Sequence, residues 1–170
     1  MEERHEIAGR YVVRLGRRAD AAAAAALWIR SAEEHTAYDP VYSTSPEAEK
    51  IMRRFLADLS SSSHSCLFVA EIPDGSGDAG EIVGFLSGEI REGSPAFSPK
   101  TWAAVEDIYV THEHRSMGIG RTLVDACSEW ARDKGADGVS LQVAAGNERA
   151  RKFYETLDFR EVSVYEVREF

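Results

Sequence analysis

The segment from Val110 to Gly120 constrains this chain more than any other. Val110 closes an apolar run, Thr111-His112-Glu113-His114 follows, and Arg115-Ser116-Met117-Gly118-Ile119-Gly120 leads into an amphipathic stretch. There Ile119, Leu123, Cys127 and Trp130 recur at helical spacing, supported by Val124 and Ala131, until Gly135 stops the pattern. A strand, a glycine-bearing turn and a helix in that order imply a mixed α/β architecture. With two glycines and no acidic side chain between Arg115 and Gly120, several backbone N–H groups can converge on one anion. The positive end of the helix dipole adds to the attraction. A phosphate group suits such a turn.

The flanking pattern supplies the other elements. Tyr11–Leu15 reads as a first strand and 19–35 as a helix begun near Asp20. Ser45-Pro46-Glu47 opens a second helix, along which Ile51, Met52, Phe55, Leu56 and Leu59 recur. Cys66–Ile72 and Glu81–Ile90 are strands of a hairpin whose reversal, 73–80, is flexible, and 94–99 is a further loop. Ala103–Val110 is a fourth, largely buried strand and Val139–Val143 a fifth. A helix over Asn147–Leu157 and a last strand over Glu161–Val167 complete the chain. At 170 residues the expectation is one domain over 1–170, with residues 1–9 flexible.

Lys and Arg total 20 against 29 Asp and Glu, a formal charge of -9 at pH 7. That balance argues against general nucleic-acid affinity and mildly favours cationic partners, although a plain solubility surplus explains it as well. No apolar run reaches the length of a membrane span, and the charged start Met1-Glu2-Glu3-Arg4-His5-Glu6 lacks the apolar core of an export signal. The expected location is the cytoplasm, with no membrane partner. Cys66 and Cys127, which no spacing rule pairs, are expected as buried thiols in a reducing compartment. His112 and His114 flank Glu113, but a metal site needs three or four preoriented ligands, so both are read as exposed loop residues and no metal is expected.

Two familiar nucleotide loops fit the turn poorly. A Walker loop needs Lys-Ser or Lys-Thr after its last glycine, where Arg121-Thr122 stands. The dinucleotide fingerprint needs a small residue where Leu123 stands. The pattern Arg115-Ser116-Met117-Gly118-Ile119-Gly120 instead resembles the acyl-CoA loop, Arg/Gln-x-x-Gly-x-Gly/Ala, of the GNAT superfamily of N-acetyltransferases. Val105-Glu106-Asp107-Ile108-Tyr109-Val110 upstream and Asn147-Glu148-Arg149-Ala150-Arg151-Lys152-Phe153-Tyr154 downstream, ending Leu157-Asp158-Phe159, extend the likeness. Ser116 departs from the glycine that many members carry there. The likeness covers 66–170 clearly and 11–59 more loosely. It implies a GNAT-like fold of mixed α/β (α+β) class: a central, mostly antiparallel sheet splayed between its fourth and fifth strands, with helices on both faces.

The resemblance also implies roles. Acetyl-CoA would be the co-substrate, its pyrophosphate held by Arg115, Ser116, Met117, Gly118, Ile119 and Gly120, with Arg121 adding charge. The pantetheine arm would lie along Ile108, Tyr109 and Val110 like an added strand, and Asn147 would either bond that arm or cap its helix. Arg149, Arg151 and Lys152 either attract phosphates or are solvated helix charges.

Strand alternation sends Glu106, Ile108 and Val110 to one face and Asp107 and Tyr109 to the other, so one carboxylate faces the cleft. Deprotonating a primary amine at pH 7 costs on the order of 4–5 kcal/mol, and a base is useful. Similar proteins place a glutamate there in that role, which maps to Glu106; a carboxylate that only binds a cation or a backbone group is the plainer alternative. Tyr154, two helical turns beyond Asn147, would give a proton to the departing CoA thiolate, or else simply pack at the cleft edge. His35, Tyr38 and Tyr42 would line the acceptor pocket, unless the tyrosines pack on the domain edge.

The expected function is acetyl transfer to a primary amine of a small molecule, of polyamine, amino acid or antibiotic type, in a ternary complex. Acetylation of a protein N-terminus or lysine, and a non-catalytic acyl-CoA-binding module, are the alternatives. A homodimer through the last strand is common in similar proteins.

Overall fold

The structure, a computed structural model, describes residues 4–7, 9–74, 80–96 and 100–170. Six strands form one sheet in chain order: β1 (Arg4–Ile7), β2 (Tyr11–Leu15), β3 (Ser65–Ile72), β4 (Glu81–Glu92), β5 (Thr101–Val110) and β6 (Gly138–Leu141). Neighbours are antiparallel except β5 and β6, which run parallel. Helices α1 (Ala21–Thr36) and α2 (Ala48–Leu59) join β2 to β3, α3 (Ile119–Asp133) joins β5 to β6, and α4 (Glu148–Glu155) follows β6. The mixed, mostly antiparallel architecture is the one expected.

Helices cover both faces, so the inner strands are apolar on both. Along β3, Cys66, Phe68 and Ala70 pack with Leu123 and Cys127 of α3, whereas Leu67 and Val69 pack with Ala24, Leu27 and Leu56 of α1 and α2. A strand covered on both sides carries no alternation, which explains the unbroken run in the sequence. The alanines of α1 have a use in this layer: Ala21, Ala24 and Ala25 are buried, and their small side chains let the helix lie close to the sheet. Cys66 and Cys127, unpaired by spacing, meet across this core as free thiols. Hydrogen bonding to Cys127, with burial, pushes the Cys66 thiol up.

Several boundaries differ from the sequence reading. Within residues 1–9, expected to be flexible, Arg4–Ile7 pairs antiparallel with β2, because a sheet edge offers hydrogen-bond partners to any extended neighbour. The expected strand over Glu161–Val167 is not formed. Val162 and Val164 are about three-quarters exposed (75% and 74%), since strand propensity creates no ladder without a partner edge. The second helix starts at Ala48 rather than at Ser45, which instead accepts a turn hydrogen bond from Ala48 N–H at 3.1 Å. The reversal at 75–79 and the loop at 97–99 lie outside the described residues.

Candidate active site

The site begins where the sheet comes apart. β6 pairs with β5 only from Trp102↔Gly138 to Val105↔Leu141. Beyond Val105, β5 continues for five residues to Val110, still paired on its other side with β4 but no longer with β6. This is the expected splay between the fourth and fifth predicted strands. A cavity of about 120 Å³ opens there, walled by β5, the residues after β6, α1 and α4.

A bulge decides what faces it. On β4, Ser87 stands opposite Asp107 and Gly88 opposite Val105, so Glu106 is the extra residue between them. The kink overturns the alternation rule: Glu106 and Asp107 both line the cavity, where one carboxylate was expected. Gly88 permits the close approach, since a Cβ there would meet the Ala104 carbonyl oxygen at 3.0 Å. Glu106 forms an ion pair with Arg91, Nη2 lying 2.9 Å from its Oε1. Burial raises its pKa, Arg91 pulls it back, and Glu89 and Asp107 push it up again. The Asp107 carboxylate accepts hydrogen bonds from Trp28 Nε1 at 2.7 Å and Ser87 Oγ at 3.2 Å. Burial raises its pKa against both bonds.

Tyr154 reaches the same cavity from α4, 8% exposed, and burial pushes its hydroxyl up to about 12. A tyrosine so shifted stays protonated across the neutral range and can serve as a proton donor. Asn147 also lines the cavity and is the cap of α4, its Oδ1 accepting from Ala150 N–H at 3.0 Å. His35 enters from α1, its Nδ1 2.7 Å from the Ser31 carbonyl oxygen. Tyr38 and Tyr42 stand edge-on to the His35 ring rather than in the cavity wall, and Gly146 lies beneath Tyr38.

The far end of the turn after β5 is a helix start without a side-chain cap. Ser116 and Gly118 both take left-handed backbone conformations, at φ 64° and 87°, and Gly118 starts α3 without a side-chain cap or an acidic residue in the first turn. The opening N–H groups of α3 are thus not claimed by a capping side chain. Gly120 leaves room for the Phe153 ring of α4, which a Cβ would meet at 3.3 Å. Met117 Sδ lies 2.9 Å from the Tyr11 hydroxyl, and Arg121 reaches the Thr156 carbonyl oxygen at 3.4 Å.

Arg115 behaves differently from the rest of the turn. Its Nε donates to the Val110 carbonyl oxygen at 2.9 Å and its Nη2 to both oxygens of Glu34 at 2.7–2.8 Å, while the guanidinium covers the Tyr109 ring. Its backbone N–H donates to His112 at 3.3 Å. Arg115 therefore fastens the turn to α1. Tyr109 joins that clamp through its hydroxyl, 2.7 Å from Glu34, and its side chain lies with α1 and α2, while Ile108 and Val110 pack on the α3 side. His114, read as an exposed loop residue, is half-buried and bonded to Thr111 Oγ1 at 2.8 Å.

The model of the Acetyltransferase (GNAT) family matches residues 23–159. This chain belongs to the GNAT acetyltransferase family. Among curated relatives, thialysine N-epsilon-acetyltransferase of Bos taurus is 37% identical over 71 residues, 39% of this chain and 42% of that protein. An uncharacterized N-acetyltransferase of Archaeoglobus fulgidus is 33% identical over 81 residues, 48% and 54% of the two chains. The aligned part therefore spans about half the length of these relatives or less. Among solved structures, the tetramutant BH1408 protein from Bacillus halodurans superposes with a TM-score of 0.77 at 22% identity, over 92% of this chain and 99% of that one. An aminoglycoside N-acetyltransferase in complex with CoA superposes with a TM-score of 0.69 at 18% identity, over 98% and 96%. At these identities the superpositions show the GNAT fold.

Within that fold, Glu106, Tyr154, Asn147 and His35 meet at one cavity although they come from three separate elements. Sequence reasoning placed Asp107 on the face away from the cleft and did not single out Arg91, Trp28 or Glu34 as site residues. Gly88 was the available signal for the first two, because an isolated glycine inside a strand marks a bulge or a close approach. Nothing local points to Trp28 or Glu34, whose partners lie 79 and 81 residues away.

Proposed function

We propose that this chain is a single-domain enzyme that transfers the acetyl group of acetyl-CoA to a primary amine of a small molecule, of polyamine, amino acid or antibiotic type. The observation that carries this reading is the convergence of Glu106 and Tyr154 on the cavity at the splay, beside an uncapped helix start. Both halves of the chemistry then have a place: an anion-holding turn for the diphosphate, and an acid–base pair where β5 parts from β6.

In this mechanism Glu106, directly or through a water, takes the proton from the acceptor ammonium, freeing the nitrogen lone pair for attack on the thioester carbonyl. The backbone N–H near Val110 steadies the oxyanion; as it collapses, the carbon–sulfur bond breaks, Tyr154 gives its proton to the leaving sulfur, and the second proton of the amide nitrogen is lost to water. Ser116, Met117, Gly118, Ile119 and Gly120 hold the diphosphate through the main chain, with Arg115 bracing the turn and Arg121 at its flank. Ile108 and Val110 offer main-chain groups to the pantetheine arm. The carboxylates of Glu106 and Asp107 favour a cationic acceptor, and His35, with Tyr38 and Tyr42 behind it, borders the path by which it enters. The proposed setting is the cytoplasm, and the exposed Val162 and Val164 make residues 161–167 the segment through which two copies would pair.

The test is free-thiol release from acetyl-CoA in the presence of a panel of amines. Thiol release that depends on an amine supports the enzyme, and binding of acetyl-CoA without release supports a non-catalytic module. Preference for peptides with a free N-terminus or lysine over small amines would move the acceptor to proteins. Tyr154→Phe is expected to lower kcat by roughly 10–100-fold without abolishing it, since a thiolate is already a fair leaving group.

A further inference from the structure

We propose that Arg91 is a positioning residue for Glu106: anchored on Glu89, its guanidinium holds Glu106 as a carboxylate and so sets how acidic the medium can become before acceptor deprotonation stops. The inference rests on the reading of Glu106 as the base.

The geometry is specific to the bulge. On β4, Glu89 stands opposite Ala104 and Arg91 opposite Trp102, so the residue across from Arg91 lies four positions before Glu106 on β5. Arg91 instead folds back along the strand. Its Nε donates a hydrogen bond to Glu89 Oε1 at 2.8 Å, and its Nη2 lies 2.9 Å from Glu106 Oε1 as an ion pair, so one guanidinium spans both carboxylates. The Glu89 contact fixes the guanidinium before it meets Glu106, which lowers the entropy lost in the second contact.

The charges around Glu106 give this fork its leverage. Glu89 approaches from β4 and Asp107 is its neighbour on β5, and both disfavour a second negative charge, as does partial burial of Glu106 itself. From the other walls come His35 of α1 and Tyr154 of α4. Among the described residues, Arg91 is the cation paired with Glu106. The side chain of Arg91 is 54% exposed, so the contact contributes little to folding, but it acts on the group whose ionisation the reaction needs. Removing a nearby positive charge raises a carboxyl pKa, and removing a nearby negative charge lowers it.

The experiment is the pH dependence of kcat/KM for amine-dependent thiol release, with one amine throughout, in the wild-type enzyme and in Arg91→Gln, Arg91→Lys, Glu89→Gln and Glu106→Gln. The titration of the amine is common to all of them. Arg91→Gln is expected to move the acid limb upward by roughly half to one pH unit. Arg91→Lys should restore most of that shift, and Glu89→Gln, which removes a negative charge but also frees Arg91, should move the limb less than Arg91→Gln does. A carbon-13 carboxyl titration of Glu106 by NMR should show the same directions without turnover. An acid limb that stays in place or falls in Arg91→Gln, or a Glu106 titration that does not follow it, overturns the proposal. Should Arg91→Gln not fold, an unmoved or lowered limb in Arg91→Ala does the same. If Glu106→Gln keeps the wild-type rate, the base assignment itself is lost, whereas an inactive Glu106→Gln beside an unmoved Arg91→Gln limb sinks the role of Arg91 alone.

Discussion

Two arginines in this protein each bridge a pair of carboxylates, and their surroundings give them opposite uses. Arg14 on β2 is 6% exposed, bonded to both oxygens of Asp20 at 2.7 and 3.1 Å and to Glu71 at 2.6 Å. The remaining valences are filled from the backbone: Arg17 N–H bonds Asp20 at 2.7 Å and Gly80 N–H bonds Glu71 at 2.9 Å. Arg91 on β4 is half exposed and bridges Glu89 and Glu106 with one contact each. The first cluster ties the start of α1 to β2, β3 and the approach to β4. The second lies at the splay and leaves its most buried carboxylate free to change protonation state. A fully bonded network fixes charge in place, and a partly bonded one keeps it available for chemistry.

Removing the arginine is the strongest way to break this contrast. Arg14→Met should leave two buried carboxylates uncompensated and cost about 3–5 kcal/mol, measured by urea unfolding. The matching change, Arg91→Gln, should cost under ~1 kcal/mol in the same assay, because its partners are reached by water. Equal losses at the two sites would erase the distinction.

The carboxylates sharpen it further. Glu106→Gln should lower amine acetylation by about 10²–10⁴-fold, the usual range for a lost general base. It should leave stability at pH 7 unchanged or slightly higher. Burial holds the Glu106 carboxyl above its ordinary value in the folded protein, so the ionised form opposes folding at neutral pH and the opposition fades as pH falls through the raised value.

Asp20 has the reverse sign. Burial pushes it up, but the hydrogen bonds from Arg14 and Arg17 and the charge of Arg14 prevail, and its pKa ends below the ordinary 3.8. Its contribution is present above about pH 4 and is lost as pH falls through the lowered value. Asp20→Asn should therefore flatten the acid side of the stability curve below about pH 4, in urea titrations at stepped pH. The smallest effect is expected at the turn. Ser116→Gly should add roughly 0.5–1 kcal/mol by relieving the left-handed backbone that serine occupies at φ 64°.

Much of this arrangement is written locally. The apolar run before the turn, Gly118 and the recurrence of Ile119, Leu123 and Cys127 fix β5, its turn and α3, because each depends on residues within a few positions of one another. Gly135 with φ 76° ends that pattern as its type suggests. Other readings failed for want of a partner that sequence does not display. Alternation along β5 was right for Ile108, Tyr109 and Val110 and wrong at Glu106, because an extra residue against β4 is a property of two strands and not of one. Strand propensity over Glu161–Val167 was real, yet the segment pairs with no strand edge among the described residues.

By itself the sequence determined the strand–turn–helix unit, while the layers of helix around a mostly antiparallel sheet and the choice of Glu106 and Tyr154 came from its resemblance to the GNAT superfamily. Hydrophobic period, glycine placement and helix-capping chemistry act over short distances, so they can be read along one chain. Only the tertiary structure decided that Asp107 shares the cavity, that Arg115 is committed to Glu34, and that Arg91 reaches Glu106. The reason is physical: ionisation and hydrogen bonding depend on what surrounds a group in space, and here the neighbours arrive from strands and helices far apart in the chain.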